Sequence, residues 1–165
     1  MFEPQEIVFM DVEASGLGEG SFPIEVGWAW LTGPSGSLLI RPALHWDLNA
    51  WDEGSAEIHG ITIPVLLADG LQARDVAERL NLLLAPATRP LIVLSDAVEM
   101  DRYWLDVLFD ETPQTREFDL RDERRIRLTQ FGGLDPEIID PPIHRAEADA
   151  RGLARLWRSL LSQRR

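Results

Sequence analysis

The sequence predicts an α/β domain, a mixed sheet flanked by helices. Three observations predict it. Strand-like segments at 7–10, 23–30 and 37–41 follow one another through short turns, as an antiparallel meander does. The rest of the chain alternates helix, strand, helix, strand, helix, the pattern of parallel pairing with crossover helices. At 165 residues, with 45% hydrophobic and 27% charged residues, the chain suits one domain spanning 1–165.

The elements follow in order. Ile7-Val8-Phe9-Met10 is an unbroken apolar run, as expected of a strand buried on both faces. A glycine-containing turn covers 14–20. Pro23-Ile24-Glu25-Val26-Gly27-Trp28-Ala29-Trp30 alternates in part and is rich in strand formers, so it reads as the second strand. Gly33-Pro34-Ser35-Gly36 is a turn before the third strand. Residues 42–60 are irregular, with a short helix near 55–59. Val76, Leu80, Leu83 and Leu84 recur at helical spacing within 73–84. Residues 90–95 read as a buried parallel strand. Met100, Tyr103, Trp104, Val107 and Leu108 define one face of a helix over 99–109. A short strand is expected at 116–120 and a charged helix at 122–130, stopped by Gly132-Gly133. After a proline-rich loop at 136–142, the longest helix runs over 146–161 on a stripe of Leu153, Leu156, Trp157, Leu160 and Leu161.

Composition narrows the function. The chain has no cysteine, which excludes disulfides, thiolate zinc sites and cysteine nucleophiles. No apolar stretch has membrane-spanning length and no secretory signal opens the chain, so a cytoplasmic protein without a membrane partner is expected. The net charge of −12 argues against a long electrostatic track on duplex DNA and leaves room for a local site. Arg121, Arg124, Arg125 and Arg127 are interleaved with Asp122 and Glu123 and read as a solvated helix face. Of the tryptophans, Trp104 and Trp157 lie on apolar stripes and read as core, while Trp46 and Trp51 are more open cases for base stacking.

The chemistry-bearing residues begin at Asp11-Val12-Glu13. Side chains alternate across a strand, so Asp11 and Glu13 share a face, and their mutual repulsion is relieved by a cation between them. Hard oxygen ligands of this kind suit magnesium or manganese. The bland alternative is a strand running out into a solvated turn. Asp149 lies four residues before Leu153 and shares its buried face, so it aims at the sheet, with His144 just upstream. The dipole of the last helix offers Asp149 a purely structural role instead. Asp101 and Asp96 compete for a third position near the carboxyl end of a strand, where α/β sheets place ligands.

Asp11-x-Glu13, then Asp101 in Met100-Asp101-Arg102-Tyr103-Trp104-Leu105, then His144-x-x-x-x-Asp149 resembles the DnaQ-like, or DEDDh, family of 3′-to-5′ exonucleases. The blocks come in the family's order, and Ile58-His59-Gly60-Ile61-Thr62 resembles a further block between the first two. The resemblance implies a ribonuclease H-like fold with a mixed five-stranded sheet, a three-stranded antiparallel meander plus parallel strands. It selects Asp101 over Asp96, because the family's acid precedes an aromatic-aliphatic pair as Asp101 precedes Trp104-Leu105. It implies catalytic Asp11, Glu13, Asp101, His144 and Asp149, with the four acids holding two divalent cations, Mg2+ or Mn2+, and His144 as general base. Ser15, Leu17, His59 and Ile61 are the implied contacts to the terminal nucleotide of a single-stranded 3′ end or short oligonucleotide. The chain departs from the family in carrying Ser95-Asp96 for His-Asn and Ala14-Ser15 for threonines. Two other readings keep the fold: an inactive nucleic-acid- or protein-binding module, and a small-nucleotide phosphohydrolase. Oligomeric state is open, with a homodimer among the options.

Overall fold

A computed structural model describes residues 6–85, 91–132, 134 and 141–164. Among them the chain forms β1 (Ile7–Ala14), β2 (Pro23–Trp30), β3 (Ser35–Arg41), α1 (Glu53–His59), α2 (Ile63–Asp69), β4 (Leu71–Gln72), α3 (Ala73–Leu84), β5 (Ile92–Ser95), α4 (Val98–Phe109), β6 (Leu120–Asp122), α5 (Glu123–Phe131) and α6 (Ala146–Gln163). Most of the expected proline-rich loop at 136–142 lies outside the described residues, as do Pro90 and Gly133. No described helix is long and apolar enough to cross a membrane.

The sheet is mixed, in the order β4-β3-β2-β1-β5-β6. β1, β2 and β3 form the antiparallel meander, while β5 pairs parallel to β1, β6 parallel to β5, and β4 parallel to β3. The described sheet therefore has six strands rather than the expected five. The additional strand, β4, pairs only Leu71 and Gln72 with Ile40 and Arg41, too short a run to leave an alternating pattern. The strand expected at 116–120 lies instead at Leu120–Asp122, because the rungs beside Val93, Leu94 and Ser95 are filled by Leu120, Arg121 and Asp122. Asp122 ends β6 and also caps α5, its carboxylate accepting the Arg125 backbone N–H at 3.0 Å. Helix α2 was not legible as a helix. Its N-cap is Thr62, whose side chain makes no capping bond, and it has proline in its first turn.

Period-two alternation in β1 supplies two cores. Val8, Met10 and Val12 pack under α3 and α4 with Val76, Leu80, Trp104 and Leu105. Ile7 and Phe9 pack on the other face with Ala150, Ala154 and Trp157 of α6 and Phe131 of α5. Trp157 meets Phe9 and Phe131 edge-on, with centroids 5.5 and 5.2 Å away, and is 2% exposed. Asp11 and Glu13 continue the row of Ile7 and Phe9, so they stand on the α6 face of the sheet, where the packed core gives way to the strand ends.

Candidate metal centre

Four acids from three distant segments act on one another at this edge. Asp11 and Glu13 come from β1, Asp101 from the first turn of α4, and Asp149 from the first turn of α6. Burial, followed by the charges of Asp101, Glu13, Asp149 and Asp96, holds the Asp11 carboxyl well above the ordinary carboxylate range. Burial, then Asp149 and Glu25, pushes Glu13 up to about 7 against the opposing pull of Arg145. Burial likewise pushes Asp101 up to about 7, opposed by a hydrogen bond from Ser95 and raised further by Asp96. A carboxylate set that resists ionisation is a site short of positive charge.

Asp101 is 1% exposed, so its geometry is fixed by protein. The Ser95 hydroxyl at the end of β5 donates to Asp101 Oδ2 at 2.5 Å and accepts the Ala97 backbone N–H at 3.0 Å. One hydroxyl thus ties the strand end to the helix start. Asp96 is exposed beside it, close enough to raise both Asp11 and Asp101.

The Asp149 carboxylate accepts the backbone N–H of Ile143 at 2.7 Å and of His144 at 2.8 Å. These bonds fold the segment before α6 back onto its first turn. His144 sits there with φ of 59°, the left-handed region that a residue with a Cβ seldom occupies. Its ring reaches Glu13 and Asp149, and one donor atom from each of the three lies within 4.8 Å of the others. His144 is exposed, while Glu13 and Asp149 are half-buried.

Two features of β2 fix the position of α6. Glu25 sits opposite Glu13 in the ladder and is 1% exposed. Its carboxylate takes Arg145 Nη2 at 2.8 Å, Arg145 Nε at 3.0 Å and the Ala146 backbone N–H at 3.0 Å. Gly27, opposite Asp11, lies so close to the helix that a Cβ there would stand 2.1 Å from the Ala146 carbonyl carbon. The first turn of α6 is therefore pressed against the strand that pairs with both β1 acids.

The residues expected at a nucleotide divide. Leu17 is 77% exposed in the loop after β1. Ser15 is buried, its hydroxyl accepting the Phe22 N–H at 3.0 Å and its carbonyl accepting the Asp52 N–H at 2.8 Å, which closes that loop. Ile61 is buried with Phe22, Ile24 and Leu66. His59 is 5% exposed; its Nδ1 accepts the Ile61 N–H at 3.0 Å, and its Nε2 has no hydrogen-bond partner among the described residues within normal geometry. Burial lowers the His59 pKa, opposed by Glu25 and by the Ala14 backbone beside the ring. Of the open tryptophans, Trp46 stacks on Phe22 at 5.2 Å and donates to Glu111, and Trp51 packs edge-on to His59 at 6.1 Å.

Glu25, Gly27, Ser95 and Arg145 were not singled out as site residues from the sequence. The signal was present for Glu25 and Gly27, a charge and a glycine inside an otherwise strand-forming run. Nothing marks Ser95 or Arg145 without three-dimensional neighbours. As a donor set, the Glu13 and Asp149 carboxylates with the His144 imidazole fit a divalent cation that prefers oxygen ligands, and Asp11 and Asp101 add charge beside them.

No protein-family model matches the sequence, and no curated relative matches it. Solved structures do. The zinc-bound form of an E. coli exonuclease I complex with single-stranded DNA aligns with a TM-score of 0.69 and 16% identity, covering 95% of this chain and 40% of that one. E. coli exonuclease I in complex with a dA16 oligonucleotide gives the same figures, 0.69, 16%, 95% and 40%. A moderately thermophilic exonuclease I from Methylocaldum szegediense aligns at 0.68 and 16%, covering 96% of this chain and 40% of that one. The chain spans about 40% of the length of these structures. The likeness shows the fold, which is the ribonuclease H-like arrangement.

Proposed function

We propose that this protein is a DnaQ-like, DEDDh-type 3′-to-5′ exonuclease that hydrolyses phosphodiester bonds at single-stranded 3′ ends of DNA or RNA. What supports the reading is the Glu13–His144–Asp149 group, whose donor atoms lie within 4.8 Å of one another, with Asp11 and Asp101 near enough to act on the same carboxylates. The shared fold with exonuclease I, solved with oligonucleotides, supports the substrate class.

Asp11, Glu13, Asp101 and Asp149 would hold two divalent cations, Mg2+ or Mn2+. When bound, these supply a water of lowered pKa and neutralise charge developing at phosphorus and the leaving oxygen. The remaining work belongs to side chains. His144, exposed at the mouth of the site, takes the proton of the attacking water. Glu13 and Asp149 stand beside its ring and stabilise the imidazolium that results. Asp149 also holds the backbone of residues 143 and 144, so one side chain contributes a ligand and sets the base. Ser95 keeps Asp101 in place from beneath. The terminal nucleotide would lie between Leu17 and the buried His59–Ile61 turn.

A 5′-labelled single strand incubated with Mn2+ tests the reading. Stepwise shortening from the 3′ end, abolished by chelator, is expected. Turnover confined to a free nucleotide would favour a phosphohydrolase, and binding without cleavage would favour an inactive module.

A further inference from the structure

The acidic net charge conceals a separation along the chain. All sixteen basic residues are arginine; five fall in residues 1–115 against nineteen acids, and eleven fall in residues 116–165 against nine. The sequence alone reads Arg121, Arg124 and Arg125 as a solvated face, neutralised by the acids between them. In the structure neither acid forms an ion pair with Arg121, Arg124 or Arg125. Asp122 is committed to the Arg125 backbone N–H, and Glu123 is buried, accepting Trp157 Nε1 at 2.6 Å and pairing with Arg127 at 2.8 Å. Asp119 pairs with Arg102. Arg121, Arg124 and Arg125 remain exposed, with no acidic side-chain partner among the described residues.

Their location follows from strand register. Ile7 pairs with Ile92 and Ser95 with Asp122, so Met10, Ser95 and Asp122 stand level across three parallel strands. The first turn of α5 therefore starts at the height of Asp11, two strand spacings from β1, or ~10 Å. α5 packs with α6 through Phe131 and Trp157, on the same sheet face that carries Asp11, Glu13 and Asp149. Three guanidiniums without an acidic partner among the described residues thus stand on the β6 side of the acidic cage, on its own face and at its own level.

We infer that Arg121, Arg124 and Arg125 form a binding site for the phosphodiester backbone of the strand upstream of the bond being cut. Guanidinium is suited to this role, since its planar fork takes phosphate oxygens in pairs. The inference rests on the nuclease reading of the acidic centre and adds a substrate preference. At ~3.4 Å per stacked nucleotide, ~10 Å is about three nucleotides, so a dinucleotide held in the cage falls short of the arginines and a longer strand reaches them.

The test compares wild type, R121Q/R124Q/R125Q and the control R74Q/R79Q, which removes two arginines from α3 on the opposite sheet face. Each is assayed with Mn2+ on a dinucleotide and on dT and rU strands ~12 nucleotides long. Strand affinity is read by fluorescence anisotropy in Ca2+ across a salt series. The triple variant is expected to turn over the dinucleotide as wild type does and to bind both strands roughly tenfold more weakly at ~50 mM salt. Its log–log salt slope is expected to be shallower by ~2, from ~0.7 per lost phosphate contact. A dT-only or rU-only effect assigns the patch to one backbone. Wild-type affinity and slope in the triple variant, or an equal loss in the control, overturn the inference while dinucleotide cleavage leaves the nuclease reading standing. Should wild type cleave nothing, the nuclease reading fails, and anisotropy alone still decides whether the arginines hold a strand.

Discussion

Glu25 grips Arg145 through two hydrogen bonds of 2.8 and 3.0 Å, one residue beyond His144 and directly across the ladder from Glu13. The pair joins the strand bearing two acids, by way of its neighbour, to the helix bearing a third. Glu25→Gln keeps the shape and removes the charge that Arg145 and the Ala146 N–H share. Loss of ~1–3 kcal/mol of stability is expected, with turnover falling about tenfold and KM little changed. Thermal melts and steady-state kinetics check it; unaltered turnover would show that the clamp does not position the site.

Gly27 makes a sharper prediction. A Cβ 2.1 Å from the Ala146 carbonyl carbon cannot be accommodated without moving α6. Gly27→Ala is expected to cost ~1–3 kcal/mol or more and to draw Asp149 away from β1. The readout is weaker Mn2+ binding by the folded fraction; wild-type affinity for Mn2+ would contradict it.

The raised carboxyls predict how metal-free stability depends on pH. Glu13 and Asp101 are pushed up to about 7 in the folded chain, from ordinary values of 4.5 and 3.8. Between those limits the native state holds protons that the unfolded chain has released, so stability falls as pH rises through this window. Buried Asp101 accounts for a loss on the order of 2–4 kcal/mol, and half-buried Glu13 adds less. Melts in chelator are expected to show Tm ~5–10 °C lower at pH 8 than at pH 5, with Mn2+ restoring it. A Tm that rises from pH 5 to pH 8 in chelator would refute the electrostatic description.

Asp11→Asn separates stability from activity. It removes a buried charge surrounded by other carboxylates, so the metal-free protein is expected to gain ~1–2 kcal/mol at pH 8 while losing cleavage. His144→Gln is expected to leave Tm within a degree or two, because the ring is exposed, and to lower turnover ~100-fold or more. Retained turnover in either variant would reject the role assigned to that residue.

Much of this architecture is legible in the sequence because the carriers are local. Ile7-Val8-Phe9-Met10 ahead of Asp11-Val12-Glu13 fixes both a buried strand and the face its acids share, and Trp157 and Leu160 fix the buried side of α6, although Leu153, expected on that stripe, is only half-buried. What was not legible depends on remote contact. β4 consists of two residues and exists only because Ile40 and Arg41 lie alongside. Ser95 matters through Asp101, six residues away and in another element. Arg145 matters through Glu25, which is 120 residues distant. The α5 arginines read as neutralised until Asp122 and Glu123 are seen to be committed elsewhere.

The central claim, that these four acids are one divalent-metal centre, is tested most directly by anomalous diffraction at the manganese edge from a Mn2+-soaked crystal. Two peaks enclosed by Asp11, Glu13, Asp101 and Asp149 are expected. An empty cage at saturating Mn2+, or peaks bound only elsewhere on the surface, would contradict it.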